Sequence, residues 1–190
     1  MPYHVAVLSI EWVPVSAADD VEVVAGLTVL VNDAYEQAER GLWRPGVART
    51  SLEETALAVS LGEVVVATLD GQLTGTVRTR LHDVETGWFG ALAIGEAFAG
   101  RGVGSQVVSF VEANARDAGM KFMRLEVLAP HSAHPHIDWL TRWYQSLGYV
   151  EFERSSLADV EPSAVPFLVA PCEVALLRKP LASTLTSRIS

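Results

Sequence analysis

The stretch Leu92–Val108, LAIGEAFAGRGVGSQVV, joins an apolar run to an amphipathic one through three closely spaced glycines, Gly100, Gly102 and Gly104. Glycine has no Cβ, so such a segment turns sharply and brings successive backbone N–H groups close to a ligand. A helix beginning at the end of the turn adds the positive end of its dipole, and the natural guest is a phosphate or diphosphate. Dipole assistance amounts to about 0.3–1 kcal/mol per charge at an exposed site, so several N–H groups must act together. Arg101 adds a direct charge. No Gly-Lys-Ser/Thr follows, which excludes a P-loop. A dinucleotide-binding fold fits poorly, because hairpin signals precede the loop and the first strand does not lead into it. Taken alone, the cluster reads equally well as a tight strand-to-helix turn.

Upstream, Val5–Val13 reads as a first strand, and Val21–Ala38 carries Val24, Leu27, Val31 and Ala34 at helical spacing behind the capping residues Asp19 and Asp20. Gly41–Thr50, with Trp43, Pro45 and Gly46, is a loop; Ser51 and Glu54 then form a capping-box pattern for a short helix to Ser60. Glu63–Leu69 and Leu73–Leu81 flank Asp70-Gly71-Gln72, whose Asp-Gly pair supplies the positive φ of a tight hairpin. Trp88–Ile94 is a further strand, followed by a helix from about Gly104 to Ala118 that Gly119 ends. Phe122–Leu128 is a strand, Ile137–Ser146 a helix ended by Gly148, and Tyr149–Arg154 and Cys172–Arg178 a closing pair of strands. The pattern is that of one α/β domain over residues 1–190, with about 183–190 a frayed tail.

The chain has 190 residues, 49% of them hydrophobic and 19% charged, the balance of a protein with one sizeable core. With 14 Lys+Arg against 23 Asp+Glu its formal net charge is -9, which disfavours a general grip on nucleic acid or on an anionic membrane and suits a cationic acceptor. The single cysteine, Cys172, excludes an intramolecular disulfide and a thiolate zinc centre, in keeping with a reducing compartment. Met1–Val15 lacks a basic leader and is interrupted by Glu11 and Pro14, and no apolar run approaches the roughly 20 residues of a membrane span. A cytoplasmic location is expected.

The glycine stretch resembles the acetyl-CoA motif of the GNAT N-acetyltransferases, in which a strand ends, a Gln/Arg-x-x-Gly-x-Gly/Ala loop follows and a helix begins. Gly102-Val103-Gly104 matches, whereas Ala99 stands where the family usually has Gln or Arg. The hairpin VVVATLDGQLTGTVRTR (64–80) is similar to the family's second and third strands, FMRLEVL (122–128) to its fifth, and WYQSLGY (143–149) to the aromatic segment after it. The likeness spans Val5 to Pro180. It implies a mixed central sheet of about seven strands flanked by about four helices, splayed between the fourth and fifth strands. Acetyl-CoA would be the co-substrate, its pantetheine pairing with Leu92, Ala93 and Ile94 and its diphosphate seated on Arg101, Gly102, Val103, Gly104 and Ser105. Tyr144 matches the family's tyrosine that protonates the departing thiolate. The implied reaction is direct attack of a small-molecule or protein amine within a ternary complex, and a homodimer stays open. Two alternatives share the fold: a non-catalytic CoA-binding module, which Ala99 favours and Tyr144 opposes, and an acyltransferase for a longer acyl chain.

No residue is an obvious general base. Glu85, Trp88 and Glu126 are weak candidates on or near the fourth and fifth strands. His131, His134 and His136 cluster in a segment expected to be a long connection, where a polar loop outweighs a metal site and proton shuttling or substrate contact is a lesser reading. Trp43 and Arg44 belong to a loop that walls the acceptor cleft in similar proteins, although pinning that loop to the core is the simpler role of Trp43. Cys172 reads as a small buried hydrophobe, distant in sequence from the glycine loop.

Overall fold

In the computed structural model, which describes residues 6–181, seven strands form one sheet: β1 (Leu8–Trp12), β2 (Val64–Leu69), β3 (Gln72–Leu81), β4 (Thr86–Ile94), β5 (Phe122–Pro130), β6 (Val150–Ser156) and β7 (Cys172–Pro180). Its order is β1-β2-β3-β4-β5-β7-β6. The expected strand start at Val5 and the tail from residue 183 lie outside the described residues. Helices α1 (Val21–Ala38), α2 (Leu52–Ser60), α3 (Val103–Asp117), α4 (Pro135–Ser146) and the single turn α5 (Leu157–Val160) complete the chain. The Ser51/Glu54 capping box forms in full at the start of α2, and Asp20 caps α1.

Two stretches differ from the sequence reading. Helix α4 begins two residues early, with Pro135 in its first turn and His134 Nδ1 accepting from the Ile137 N–H at 3.3 Å. Proline suits the first helical position because its missing N–H has no intrahelical partner there. With β5 running to Pro130, the connection holding the histidines shrinks to residues 131–134. Between β6 and β7, α5 and a 3₁₀ stretch at Pro162–Phe167 carry too little apolar periodicity to be seen in advance.

All neighbouring strands run antiparallel except β4 and β5, which are parallel and pair only at Thr86–Phe122, Gly87–Met123 and Trp88–Arg124. Val64 and Val65 are both buried yet belong to two different apolar clusters, because successive strand residues point to opposite faces. On one face Val103, Val107, Val108 and Val111 of α3 meet Val65, Val77, Phe89 and Met123. On the other, Leu27 of α1 and Ala58 and Val59 of α2 cover Val64.

One charged group sits inside the first cluster's border. Glu112 of α3 is only 6% exposed; it accepts from the Tyr149 hydroxyl at 2.7 Å and from Lys179 Nζ at 2.9 and 2.7 Å. Burial, and then the Glu112 carboxylate, push the Tyr149 phenol far above its ordinary value, so it stays a donor. The trio ties α3 to the segment after α4 and to β7. Lys179→Met leaves the carboxylate buried without its cation and should cost about 3 kcal/mol in urea unfolding, the low end for a broken buried pair because Lys179 keeps partial exposure. Adding Glu112→Leu should recover part of that loss. A double variant as unstable as the sum of the singles would show that the pair does not couple.

Candidate functional site

Beyond Trp88 the two parallel strands part. β5 continues along β7 for nine residue pairs, while β4 stays with β3. Ala91 adopts φ 50°, and the β3 register shifts between Thr76 and Arg78, so β4 carries a bulge where it turns away. Phe89 to Ile94 therefore pair with β3 on one edge and with no strand on the other. Ala93, opposite Thr76, is buried, with Leu92 and Ile94 half-buried beside it.

The glycine turn and the start of α3 follow directly. Gly100 and Gly102 have φ of 73° and 79°, the left-handed region that glycine enters without strain. Gly104 is helical instead: a Cβ there would lie 3.5 Å from the Trp143 ring and 3.7 Å from Ile94, ordinary van der Waals contacts that place α4 against the start of α3. Among the described residues every other α-helix has a side chain accepting from its first turn, namely Asp20, Ser51, His134 and Ser156. Helix α3 has Gly102 as its cap, no side-chain acceptor and no acidic residue in its first turn. The leading N–H groups of Val103, Gly104 and Ser105 are thus presented to an external acceptor. Arg101 is exposed beside them, its guanidinium 5.7 Å from the Phe98 ring centre, with no carboxylate at contact distance among the described residues.

Tyr144 projects from α4 into the aromatic cluster of Phe89, Trp143 and Tyr149, at ring separations of 6.1, 4.8 and 5.9 Å. It is 5% exposed, and burial, followed by the nearby Tyr35, drives its phenol well above the ordinary value. The hydroxyl accordingly holds its proton throughout the physiological range and serves as a donor. Trp139 stacks on Trp143 at 6.1 Å with the rings 7° from parallel.

On the side of the sheet that carries α1 and α2 lies a cleft of about 1200 Å³, walled by α1, the loop after it, β3, β4 and the α5 region. Two loops are joined at its rim: Trp43 bridges Leu168, Arg44 N–H donates to the Phe167 carbonyl at 2.9 Å, and Val169 N–H donates to the Leu42 carbonyl at 2.9 Å. Trp43 so pins its loop, as the simpler reading held, and its indole N–H also donates to Glu39 at 2.5 Å. Glu39, 8% exposed at the end of α1, went unnoticed in the sequence. Burial lifts its carboxyl above the ordinary value against the opposing pull of Arg49, the Trp43 hydrogen bond and His134. A signal was present: Val31, Tyr35 and Glu39 stand four apart, which places a carboxylate on the inward stripe of the helix.

The earlier base candidates are otherwise engaged. Glu126 receives Trp88 Nε1 on one oxygen and Arg124 Nη2 at 2.7 Å on the other, and Glu85 pairs with Lys121. The histidines take three separate partners: His131 lies 3.9 Å from Glu173, His134 caps α4 and meets the Arg40 carbonyl at 3.1 Å, and His136 tilts against Trp139 at 5.6 Å. Cys172, far from the glycine loop in sequence, is half-buried opposite Pro130, within electrostatic reach of Glu39; burial and then that carboxylate raise its thiol. Among the described residues no helix is long and apolar enough to cross a membrane.

Residues 60–151 match the family model of the acetyltransferase (GNAT) domain. None of the proteins of curated function matches the sequence. Among solved structures the chain is similar to Ard1 from Thermoplasma volcanium, with a TM-score of 0.66, 14% identity, and 93% of this chain and 99% of that one covered. It is also similar to the ribosomal-protein-S18-alanine N-acetyltransferase from Escherichia coli, at 0.64 and 12% over 97% and 99% of the two chains. A third likeness, at 0.60 and 16% over 94% of this chain and 36% of the other, is to the N-acetylglutamate synthase from Neisseria gonorrhoeae complexed with coenzyme A and N-acetyl-glutamate. The matched segment holds the hairpin, the parted strands, the glycine turn and Tyr144, so residues 60–151 carry the match to the acetyltransferase (GNAT) domain, within a fold that the chain shares with these acetyltransferases.

Proposed function

We propose that the chain is a single-domain, cytoplasmic acetyltransferase that uses acetyl-CoA to acetylate an amine by direct attack. One observation carries this reading: the strands part just before the one α-helix start among the described residues that no side chain caps. A gap between strands leaves backbone groups for an amide-bearing chain, and uncapped N–H groups at its mouth suit a diphosphate; pantetheine and the CoA diphosphate have that order along one molecule. Leu92, Ala93 and Ile94 would meet the pantetheine, and Arg101 to Ser105 the diphosphate. Coenzyme A in the Neisseria structure adds support at the level of the fold.

In the reaction the amine nitrogen bonds to the thioester carbon, an N–H of the open β4 edge meets the developing oxyanion, and the C–S bond then breaks. The departing sulfur takes the Tyr144 proton, and the proton released by the nitrogen restores the phenol through solvent. The raised thiol of Cys172 stays protonated and makes a poor nucleophile, which favours direct transfer over an acetyl-cysteine route.

Tyr144→Phe should lower kcat by roughly 10²- to 10⁴-fold while acetyl-CoA affinity stays within a few-fold; undiminished turnover in a thiol-release assay would remove the phenol from the mechanism. At the turn, Gly102→Asp and Gly102→Asn both suit a left-handed backbone, and the space around Gly102 is open. The aspartate should weaken CoA binding in calorimetry about tenfold or more by charge repulsion at the N–H groups, and the asparagine far less. Equal affinities for the two would show that no diphosphate sits there.

A further inference from the structure

The net charge of the chain is not the charge of its cleft. Arg40, Arg44, Arg49, Arg78 and Arg80 all line it, facing four glutamates, in a protein of net charge -9. Among the described residues only Arg78 has a carboxylate at contact distance, Glu63 at 2.7 Å. Two of the cleft's glutamates have further bonds: Glu54 closes the α2 capping box, and Glu161 receives Ser163 while lying within electrostatic reach of Arg49. The cleft lining therefore departs from the cationic acceptor that bulk composition suggests.

Two opposite charges are held in place within it. Asn32 Oδ1 accepts from the N–H groups of Arg49 and Thr50 at 2.8 and 3.0 Å, and its amide donates to the Thr50 carbonyl at 3.0 Å. That clamp fixes the backbone that carries Arg49, whose guanidinium lies 4.9 Å from the centre of the Tyr35 ring, within electrostatic reach of Tyr35, Glu39 and Glu161. Trp43 holds the buried Glu39 carboxylate as described. Arg49 and Glu39 lie within electrostatic reach of each other without touching, and Tyr35 lies within reach of both and of Tyr144. A buried carboxylate and a guanidinium on a clamped backbone, neither ion-paired by contact, thus line the same cleft. The remaining walls include Trp88 and Phe167, which are apolar surfaces.

We propose that the acceptor is a small amino carboxylate with an apolar side chain, an α-amino acid in the simplest case, whose ammonium end meets Glu39 and whose carboxylate meets Arg49. The proposal rests on the amine-acetylating reading above. A guanidinium–carboxylate fork supplies charge-assisted hydrogen bonds that an uncharged amide of the same shape cannot reproduce. The aromatic walls accept the side chain, and the unmatched positive charge of Arg40 and Arg44 at the rim draws an anionic group inward.

The test compares L-phenylalanine, L-tryptophan, L-methionine and L-glutamate with their α-amides, as acceptors in thiol release and as ligands of the CoA-loaded protein in calorimetry. At least one acid should exceed its amide about tenfold or more in kcat/KM and in affinity, as loss of a charged hydrogen-bond partner implies. Arg49→Gln should bring that ratio to near one without changing CoA affinity, and Arg49→Lys should restore part of it. Glu39→Gln should weaken acid and amide alike. Turnover of amines with acid and amide equal, a preference for the amides, or a ratio that survives Arg49→Gln overturns the proposal and leaves the enzyme reading standing. Absence of thiol release with every amine, alongside normal CoA binding, overturns the enzyme reading beneath it.

Discussion

Two strands that start side by side and then separate set a problem for the whole chain. Alternate residues of β4 past Trp88 and of β5 past Arg124 direct backbone groups to an edge that no strand among the described residues satisfies. An unpaired buried donor or acceptor costs free energy comparable to a lost hydrogen bond, so a fold keeps such a gap only if other contacts hold it open. Here β7 pairs with β5 along its full length, the Ala91 bulge lies on β4 where it leaves β5, and Phe89, Tyr144 and Tyr149 make mutual ring contacts beside it. The gap follows from the pairings on both sides of it.

The same economy is visible at the helix ends. Four helices satisfy their leading N–H groups internally, and α3 does not, although its first turn stands beside the open edge. Capping is worth about 1 kcal/mol, and its omission at one helix alone matches an end that awaits an external acceptor. Gly104 lies against the Trp143 ring, so the start of α3 and the helix that carries Tyr144 are in contact.

What the sequence disclosed divides along a physical line. Elements built from local signals were legible: the Ser51/Glu54 box, the Asp70-Gly71 hairpin, the α1 stripe and the glycines that end α3 and α4 all fold as their residues indicate. Features made by distant segments were not. The bulge falls on Ala91, a residue with no particular leaning toward positive φ, so nothing local announced it. Proximity of Cys172 to Glu39 depends on β7 inserting between β5 and β6, which chain order does not reveal. The three histidines have separate partners, set by the α4 cap and by the nearness of β7, which their spacing in the sequence does not announce. Glu39 was the readable miss, because a carboxylate four residues beyond Tyr35 on an apolar stripe is a local signal with a structural meaning.

Electrostatics carries the last step. A net charge sums over the surface and says little about a concavity lined by a few side chains from separate elements, because solvent screens exposed charges over about 10 Å while a walled cleft retains its own field. Surface acids such as Glu53, Asp117 and Glu153 dominate the total, and the cleft collects arginines from the α1–α2 loop and from β3. Arg78 and Arg80 stand two apart on one strand and so face the same side, toward a loop whose arginines the alternation rule does not govern. Positive charge gathered this way needs a counter-charge that the protein itself does not fully supply. The sign of the cleft is therefore set by where the strand and loop arginines meet, and not by the sum over the chain.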